Sequence, residues 1–437
     1  MLKITPRRKR WLKLTSARWQ RRALFVAGGL LVGAAAVALA ELADLAQLAF
    51  GWLLSKSRYA SLVVTPAGFA LSVWLTRRFF PNAQGSGIPQ AIAARHLSDP
   101  RARNSLVSLR IAVGKIVLTL LGLLCGGSVG REGPTVQIGA SLMFALGRLS
   151  PRRQPGLILA GAAAGVAAAF NTPLAGIVFG IEEMSRAFET RTSSLVIATV
   201  IAAGLTSLAL MGNYAYFGST PIALAKGIDW LAVPLCGVAG GAAGGLFSRI
   251  LITMARGLPG AVGLFIKTHP LPFALACGFA VALCGLASGD TIYGTGYAQV
   301  KAALETGTPL RTDFGVLKFL ATTFAAISGM PGGIFAPSLA VGAGIGSNIA
   351  GFFQQTPLAP IMLLGMVAYF AGVVQAPITA FVIVTEMTDN HAMVVPLMMA
   401  SLIAYGTSRL ICEEGLYHAL AKGFVANAEA KSEATNT

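Results

Sequence analysis

Apolar residues along this chain come in long unbroken runs rather than in the one-sided stripes of surface helices. Residues 23–40 and 195–211 hold no charged side chain, and at about 1.5 Å per helical residue such runs reach across most of a bilayer core. Other runs, at 135–146 and 156–170, are too short to span alone, and Gly, Pro and Asn punctuate the pattern between them. A secretory signal has a shorter apolar core and is not followed by further spans. The pattern predicts an all-α polytopic membrane protein whose helices are tilted and, in places, broken.

The punctuation occurs twice, in the same order. Gly85-Ser86-Gly87-Ile88-Pro89-Gln90 is echoed by Gly294-Thr295-Gly296-Tyr297-Ala298-Gln299, and Gly130-Arg131-Glu132-Gly133-Pro134 by Gly333-Ile334-Phe335-Ala336-Pro337. Thr172-Pro173-Leu174-Ala175-Gly176, running on to Glu183-Met184, is echoed by Ala376-Pro377-Ile378-Thr379-Ala380, running on to Glu386-Met387. The echoes are displaced by 209, 203 and 204 residues. They divide the chain into a basic cytoplasmic segment at 1–22, a first transmembrane repeat at 23–212 and a more polar connector at 213–229. A second repeat at 230–411 and a short polar tail at 412–437 follow, with no room for a regulatory domain. Two related apolar halves interrupted at matching places point to a transporter with its ion site where the halves meet.

Composition agrees: 55% of residues are apolar and 12% charged, outside the range of a soluble domain. The net charge of +17 raises nucleic acid as a partner, but its distribution argues against one. Lys3, Arg7, Arg8, Lys9, Arg10, Lys13, Arg18, Arg21 and Arg22 all precede the first span, where they orient the N-terminus to the cytoplasm beside anionic lipid. Cys125, Cys236, Cys277, Cys284 and Cys412 show no paired spacing, and His96, His269, His391 and His418 are scattered. Neither a disulfide frame nor a metal site is expected, and no cofactor is implied. Glycine-rich runs such as 161–165 and 240–245 read as close helix packing.

The breaks carry the chemistry. Pro134 and Pro337 suit the first turn of a helix, where a missing N–H has no intrahelical partner anyway. Each helix start exposes about four free amides and roughly half a positive charge. Several starts aimed at one point hold an anion without a full cation, which would bind it too tightly for transport. Ser86 adds a hydroxyl donor between two glycines. Glu132, two residues before Pro134, is drawn to the same amides, so it reads either as a protonation switch or as a capping carboxylate paired with Arg131. An acid at membrane depth favours the switch.

Glu182 and Glu183 read either as interfacial carboxylates, with Arg186 in reach of Glu183, or as an inner proton relay. Counting from the prolines pairs Glu386 with Glu182, whereas matching Glu-Met pairs it with Glu183; Glu386 itself reads as structural. Lys115, in an apolar stretch, either sets the field near the anion path or is a snorkelled or paired lysine. Tyr417 offers a phenolic donor, or is an interface anchor.

Together these residues resemble the CLC family of chloride channels and chloride/proton exchangers. Gly85-Ser86-Gly87-Ile88-Pro89, Gly130-Arg131-Glu132-Gly133-Pro134 and Gly333-Ile334-Phe335-Ala336-Pro337 look like its anion-site signatures, unaltered. Ser328-Gly329-Met330-Pro331-Gly332 and Glu386-Met387-Thr388-Asp389-Asn390 are also similar, and the likeness runs from the first span to Tyr417. The resemblance implies an all-helical protomer of two inverted-topology repeats, one anion path in each protomer, and a homodimer. By match, Ser86 and Tyr417 supply hydroxyls and Ile334 and Phe335 amides to chloride, with Glu132 as the outer gate and proton acceptor. The Glu-Glu-Met segment matches the inner proton acceptor at Glu183. Tyr417 rests on the short Leu416-Tyr417 match.

Family branches that prefer nitrate carry proline at the Ser86 position, which favours chloride here. Members that act as channels generally lack an acid at the Glu183 position, which favours exchange. Gln90 and Ile92 stand where some bacterial exchangers carry acids, which leaves the inner proton route open. The missing nucleotide-binding modules of eukaryotic members imply a multi-pass protein of a prokaryotic inner membrane, both termini cytoplasmic. The function expected is chloride/proton exchange, with a passive voltage- or pH-gated channel of the same fold as the alternative. An intramembrane enzyme is set aside. Ser86 has no histidine base beside it in any predicted span, and Asp290 lacks a second intramembrane aspartate.

Overall fold

The computed structural model describes residues 6–185, 193–212, 215–219, 221–224, 227–353 and 355–436. The first half contributes α1 (Pro6–Lys56), α2 (Ser61–Phe79), α3 (Ile88–His96), α4 (Pro100–Leu106), α5 (Leu109–Leu124), α6 (Glu132–Leu146), α7 (Gln154–Phe170), α8 (Pro173–Phe179) and α9 (Ser193–Met211). The second contributes α10 (Ala232–Arg256), α11 (Gly260–Thr268), α12 (Pro270–Ser288), α13 (Tyr297–Thr306), α14 (Phe314–Ile327), α15 (Phe335–Ala350), α16 (Leu358–Val374), α17 (Pro377–Thr388) and α18 (Val394–Ile411). α19 (Leu416–Asn436) follows. Residues 213, 214, 220, 225 and 226 of the expected connector lie outside the described residues.

Seven of the described helices are long and apolar enough to cross a membrane. The first of them runs from Arg22 to Lys56, well past the end at residue 40 that the apolar pattern suggests. Glu41 and Asp44 break the pattern without breaking the helix. Asp44 survives there because it pairs with Arg131 at 2.8 Å. Shorter helices occupy the centre: α7 is buried from Leu157 to Phe170 and α16 from Ala359 to Val374. A helix apolar on every side needs neighbours all round, and the long helices supply them while turning Leu30, Leu48, Leu205 and Leu402 outward.

The two halves pack alike. α6 crosses α7 where Gly139 faces Gly161, and α15 crosses α16 where Gly342 faces Gly365; an added Cβ at Gly139 or Gly342 collides with the facing carbonyl. Gly33 of α1 rests on Ala203 and Thr206 of α9, as Gly241 of α10 rests on Ala404 and Thr407 of α18. Small residues permit this approach where lipid provides no hydrophobic drive between helices.

Extended backbone at the breaks stitches the halves together. Gly130 and Gly333 exchange both N–H···O bonds at 2.7 Å. On either side, the Gly85 amide donates to the Met330 carbonyl and the Gly294 amide to the Gly127 carbonyl, each at 3.2 Å. The unwound segments thus satisfy one another inside protein, as membrane depth demands.

Candidate functional site

α3, α6 and α15 each begin at one of these stitched breaks. Gly87 caps α3 with φ +96°, a left-handed turn that an L side chain resists. None of the three starts has a side-chain cap from its N-cap residue, so amides of their first turns lack an intrahelical acceptor. The starts meet at Gly133. A Cβ added there would lie 2.9 Å from the Ser86 carbonyl oxygen, 3.1 Å from Ser86 Cβ and 3.2 Å from Gly333 Cα. Ser86 Oγ accepts from the Ile88 amide at 3.3 Å, which leaves its O–H free to donate elsewhere.

Glu132 is the first residue of α6 and is completely buried. Its side chain folds back over Gly130, against which a Cβ would strike Glu132 Oε2, and Pro337. That brings the carboxylate to the start of α15, near the amides of Ala336 and of Glu132 itself. Neither oxygen completes a hydrogen bond. Arg131 does not neutralise it by pairing; its guanidinium donates to the Ala40 carbonyl at 2.6 Å and meets Asp44. A buried acid without a full set of donors is costly, and this one is held over a helix start that attracts any anion.

Tyr417, at the start of α19, is buried against Phe335, with ring centroids 6.0 Å apart. Its hydroxyl lies within electrostatic reach of Ser86, Glu132 and Glu183 but completes no hydrogen bond. The polar tail therefore forms a helix that folds back to the breaks and brings this phenol among them, instead of leaving it as an interface anchor. Ile334 and Phe335 start α15 beneath it and are both buried.

The acids of the third motif divide by geometry. α8 continues into a π-helical turn, Gly180–Ser185, a wider, underwound turn often found at functional sites. It sends Glu182 and Glu183 to different neighbours. Glu182 accepts from the amides of Ile378 and Thr379 at 3.1 and 2.6 Å and from the Thr379 hydroxyl at 2.7 Å. Glu386 returns the arrangement, accepting from the amides of Leu174 and Ala175 at 3.0 and 2.7 Å. Each caps the short helix of the opposite half, so Glu182 and Glu386 are the related pair. Glu183, whose counterpart by the same count is Met387, is left over. It is buried, and Oε1 lies 3.2 Å from Nδ1 of His418. Arg186, its other suggested partner, lies outside the described residues.

Lys115 is fully buried and neither snorkels nor pairs with an acid. Its ammonium donates to the carbonyls of Ala83 at 2.6 Å and Gly85 at 2.8 Å, with Gln84 at 3.4 Å. Lys318 does the same for Ile292 and Gly294 at 2.8 and 2.7 Å. Lys318 stands 203 residues after Lys115, the displacement that relates the second pair of motifs, so the repeat itself carries its signal. Both lysines act as staples that hold the first break of each half open. Lys115→Met is expected to strand acceptors at about 1–3 kcal/mol each, lowering the unfolding midpoint of the purified protein by several degrees. An unchanged midpoint with reduced anion flux would assign Lys115 to the field along the path instead.

The remaining candidates stay apart from this centre. Asp290 pairs with Arg58 at 3.6 Å near the surface. The cysteines are buried and free, and no grouping of possible metal ligands occurs among the described residues.

A family model described as "Voltage gated chloride channel" matches residues 68–409. An H(+)/Cl(-) exchange transporter ClcA of Yersinia pseudotuberculosis serotype IB (strain PB1/+) is 33% identical over 395 residues, covering 83% of this chain and 78% of that protein. One of the same name from Cronobacter sakazakii (strain ATCC BAA-894) is 32% identical, with 83% and 79% covered. Among solved structures, a slow cyanobacterial Cl-/H+ antiporter superposes with TM-score 0.78 at 27% identity, covering 93% of this chain and 98% of that one. A CLC-type fluoride/proton antiporter shares the fold with TM-score 0.78 at 22% identity, covering 94% and 98%.

Proposed function

The chain belongs to the voltage-gated chloride channel family, and on that premise we propose that it is a secondary active transporter exchanging chloride for protons. The observation that carries this reading is the Glu132 carboxylate lying at the start of α15, where it competes with an anion for the same amides. Chloride is held by the hydroxyls of Ser86 and Tyr417 and the amides of Ile334 and Phe335. Glu132 is gate and outer proton acceptor. When it takes a proton its attraction to the amides falls, the side chain leaves and chloride takes its place; when it loses the proton the carboxylate returns.

Glu183 is the inner proton-transfer residue. The second repeat offers Met387 in its place and Phe335 in place of Glu132, so only one half carries proton chemistry while both supply amides. Tyr417 stands within reach of both acids. Exchange is favoured over passive conduction by the acid at 183 and by the activity named for the relatives. The repeats are assigned to residues 23–212 and 230–411, and the short basic segment supports an inner-membrane protein with both termini cytoplasmic.

The faces of α8, α9, α17 and α18 support a homodimer. Leu174 and Ile378, at related starts of short helices, are exposed along with Leu205 and Leu402, and the Leu174 and Ile378 amides bound there are exposed too. Interrupted helices with polar caps do not face hydrocarbon well, and a second copy covers them. Proteoliposomes with a chloride gradient and no pH gradient test the exchange: uphill proton movement is expected, and chloride flux without it makes the protein a channel.

A further inference from the structure

On the surface where α19 meets α3, a cavity of about 570 Å³ opens beside the Glu183 turn. Ile92, His96, Glu413, Glu414, His418, Lys422 and Glu429 contribute to its wall. Glu183 is not part of that wall, being buried one layer deeper with its side chain 5% exposed. His418, 20% exposed, is both in the wall and within 3.2 Å of the acid. On α3, His96 lines the cavity but turns its Nδ1 to the Ile92 carbonyl at 2.8 Å. Gln90 spends its amide on the carbonyls of Asn82 and Gln84, and Ile92 is apolar.

We propose that His418 is the relay that carries protons between this cavity and Glu183. The step balances within the ring. A hydronium in the cavity gives its proton to Nε2 and is left as water, the N–H bond at Nδ1 breaks, and that proton joins the Glu183 carboxylate at Oε1. The imidazole is left neutral with its hydrogen on Nε2, and rotation of the ring or the reverse transfer resets it. Of the ionisable side chains, imidazole takes and gives protons most readily near neutral pH.

The charges around His418 come from every element packed on α19. α3 brings Arg95, which donates to the Met184 carbonyl at 2.8 Å, and His96, whose Nδ1 meets the Ile92 carbonyl at 2.8 Å. α4 brings Arg101 and Arg103, the latter turned to Gln154. α10 brings Arg256, which shares Glu414 with Lys422. α16 brings only Tyr369, while Arg409 and Glu413 flank the start of α19. Glu414 is thus shared by two cations, Glu413 and Glu429 stand in the cavity wall with His418, and the contact to Glu183 belongs to His418.

This inference rests on the exchange reading, and the test separates the two. Wild-type protein in liposomes must drive protons with chloride; if it does not, the exchange reading itself fails. Given that it does, His418→Ala is expected to cut proton flux by about tenfold or more while chloride flux persists. Imidazole on the cavity side should restore much of the loss, and should not do so for Glu183→Gln. Wild-type proton flux in His418→Ala, or a loss that imidazole never repairs, overturns the proposal. Should that variant fail to assemble, His418→Gln, which keeps a hydrogen bond but carries no proton, must show the same loss; retained proton flux there also overturns it.

Discussion

Glu132→Gln in liposomes is expected to carry chloride at a rate independent of pH and to move protons at least about a hundredfold more slowly than wild type. The sign follows from where the side chain lies. Ionised, it is held at the start of α15 and excludes an anion; neutral, it loses that attraction. Wild-type chloride flux should therefore rise as pH falls, while an amide, neutral at every pH, fixes the protein in the acid condition. Gln is nearly isosteric, so the completely buried position over Gly130 is not repacked. The measurement is chloride efflux by electrode alongside proton flux in weakly buffered solution, across the acid and neutral range. Persisting pH control would show that another group gates the path.

Glu183→Gln should separate the two ions in a different manner. Chloride movement and its pH response are retained, because Glu132 and the α15 amides are untouched, whereas proton flux falls by about two orders of magnitude. Glu182→Gln serves as the contrast. That side chain accepts three hydrogen bonds at the start of α17, so its loss should reduce thermal stability and leave the chloride-to-proton ratio alone. Coupling that survives in Glu183→Gln but not in Glu182→Gln would reverse the assignment.

Much of this centre was legible before any coordinates. Glycine and proline at matching offsets disclose the repeat because only certain residues tolerate a helix break, and Glu132 stands out because a charge in an apolar run needs a reason. What stayed hidden depends on partners distant in sequence. Glu182 and Glu183 are adjacent and chemically identical; only the π-helical turn, which no composition signals, sends one to α17 and the other to α19. The first span reads as ending at residue 40 because Arg131, the partner that lets Asp44 lie within a longer helix, is many residues downstream. His418 had no repeat partner to draw attention to it, since α19 lies beyond the duplicated region. Lys318 is the exception: its signal was present in the echo of Lys115 and needed only to be aligned.

The crossed arrangement of Glu182 and Glu386 bears on how the protein is made. A chain emerging from the ribosome delivers the amides of Leu174 and Ala175 long before the carboxylate that receives them. Until residue 386 arrives, that short helix waits with bare donors, and the insertion machinery or lipid headgroups must shelter it. Severing the polypeptide between the two carboxylates should therefore yield fragments that are degraded singly and rescued when co-expressed.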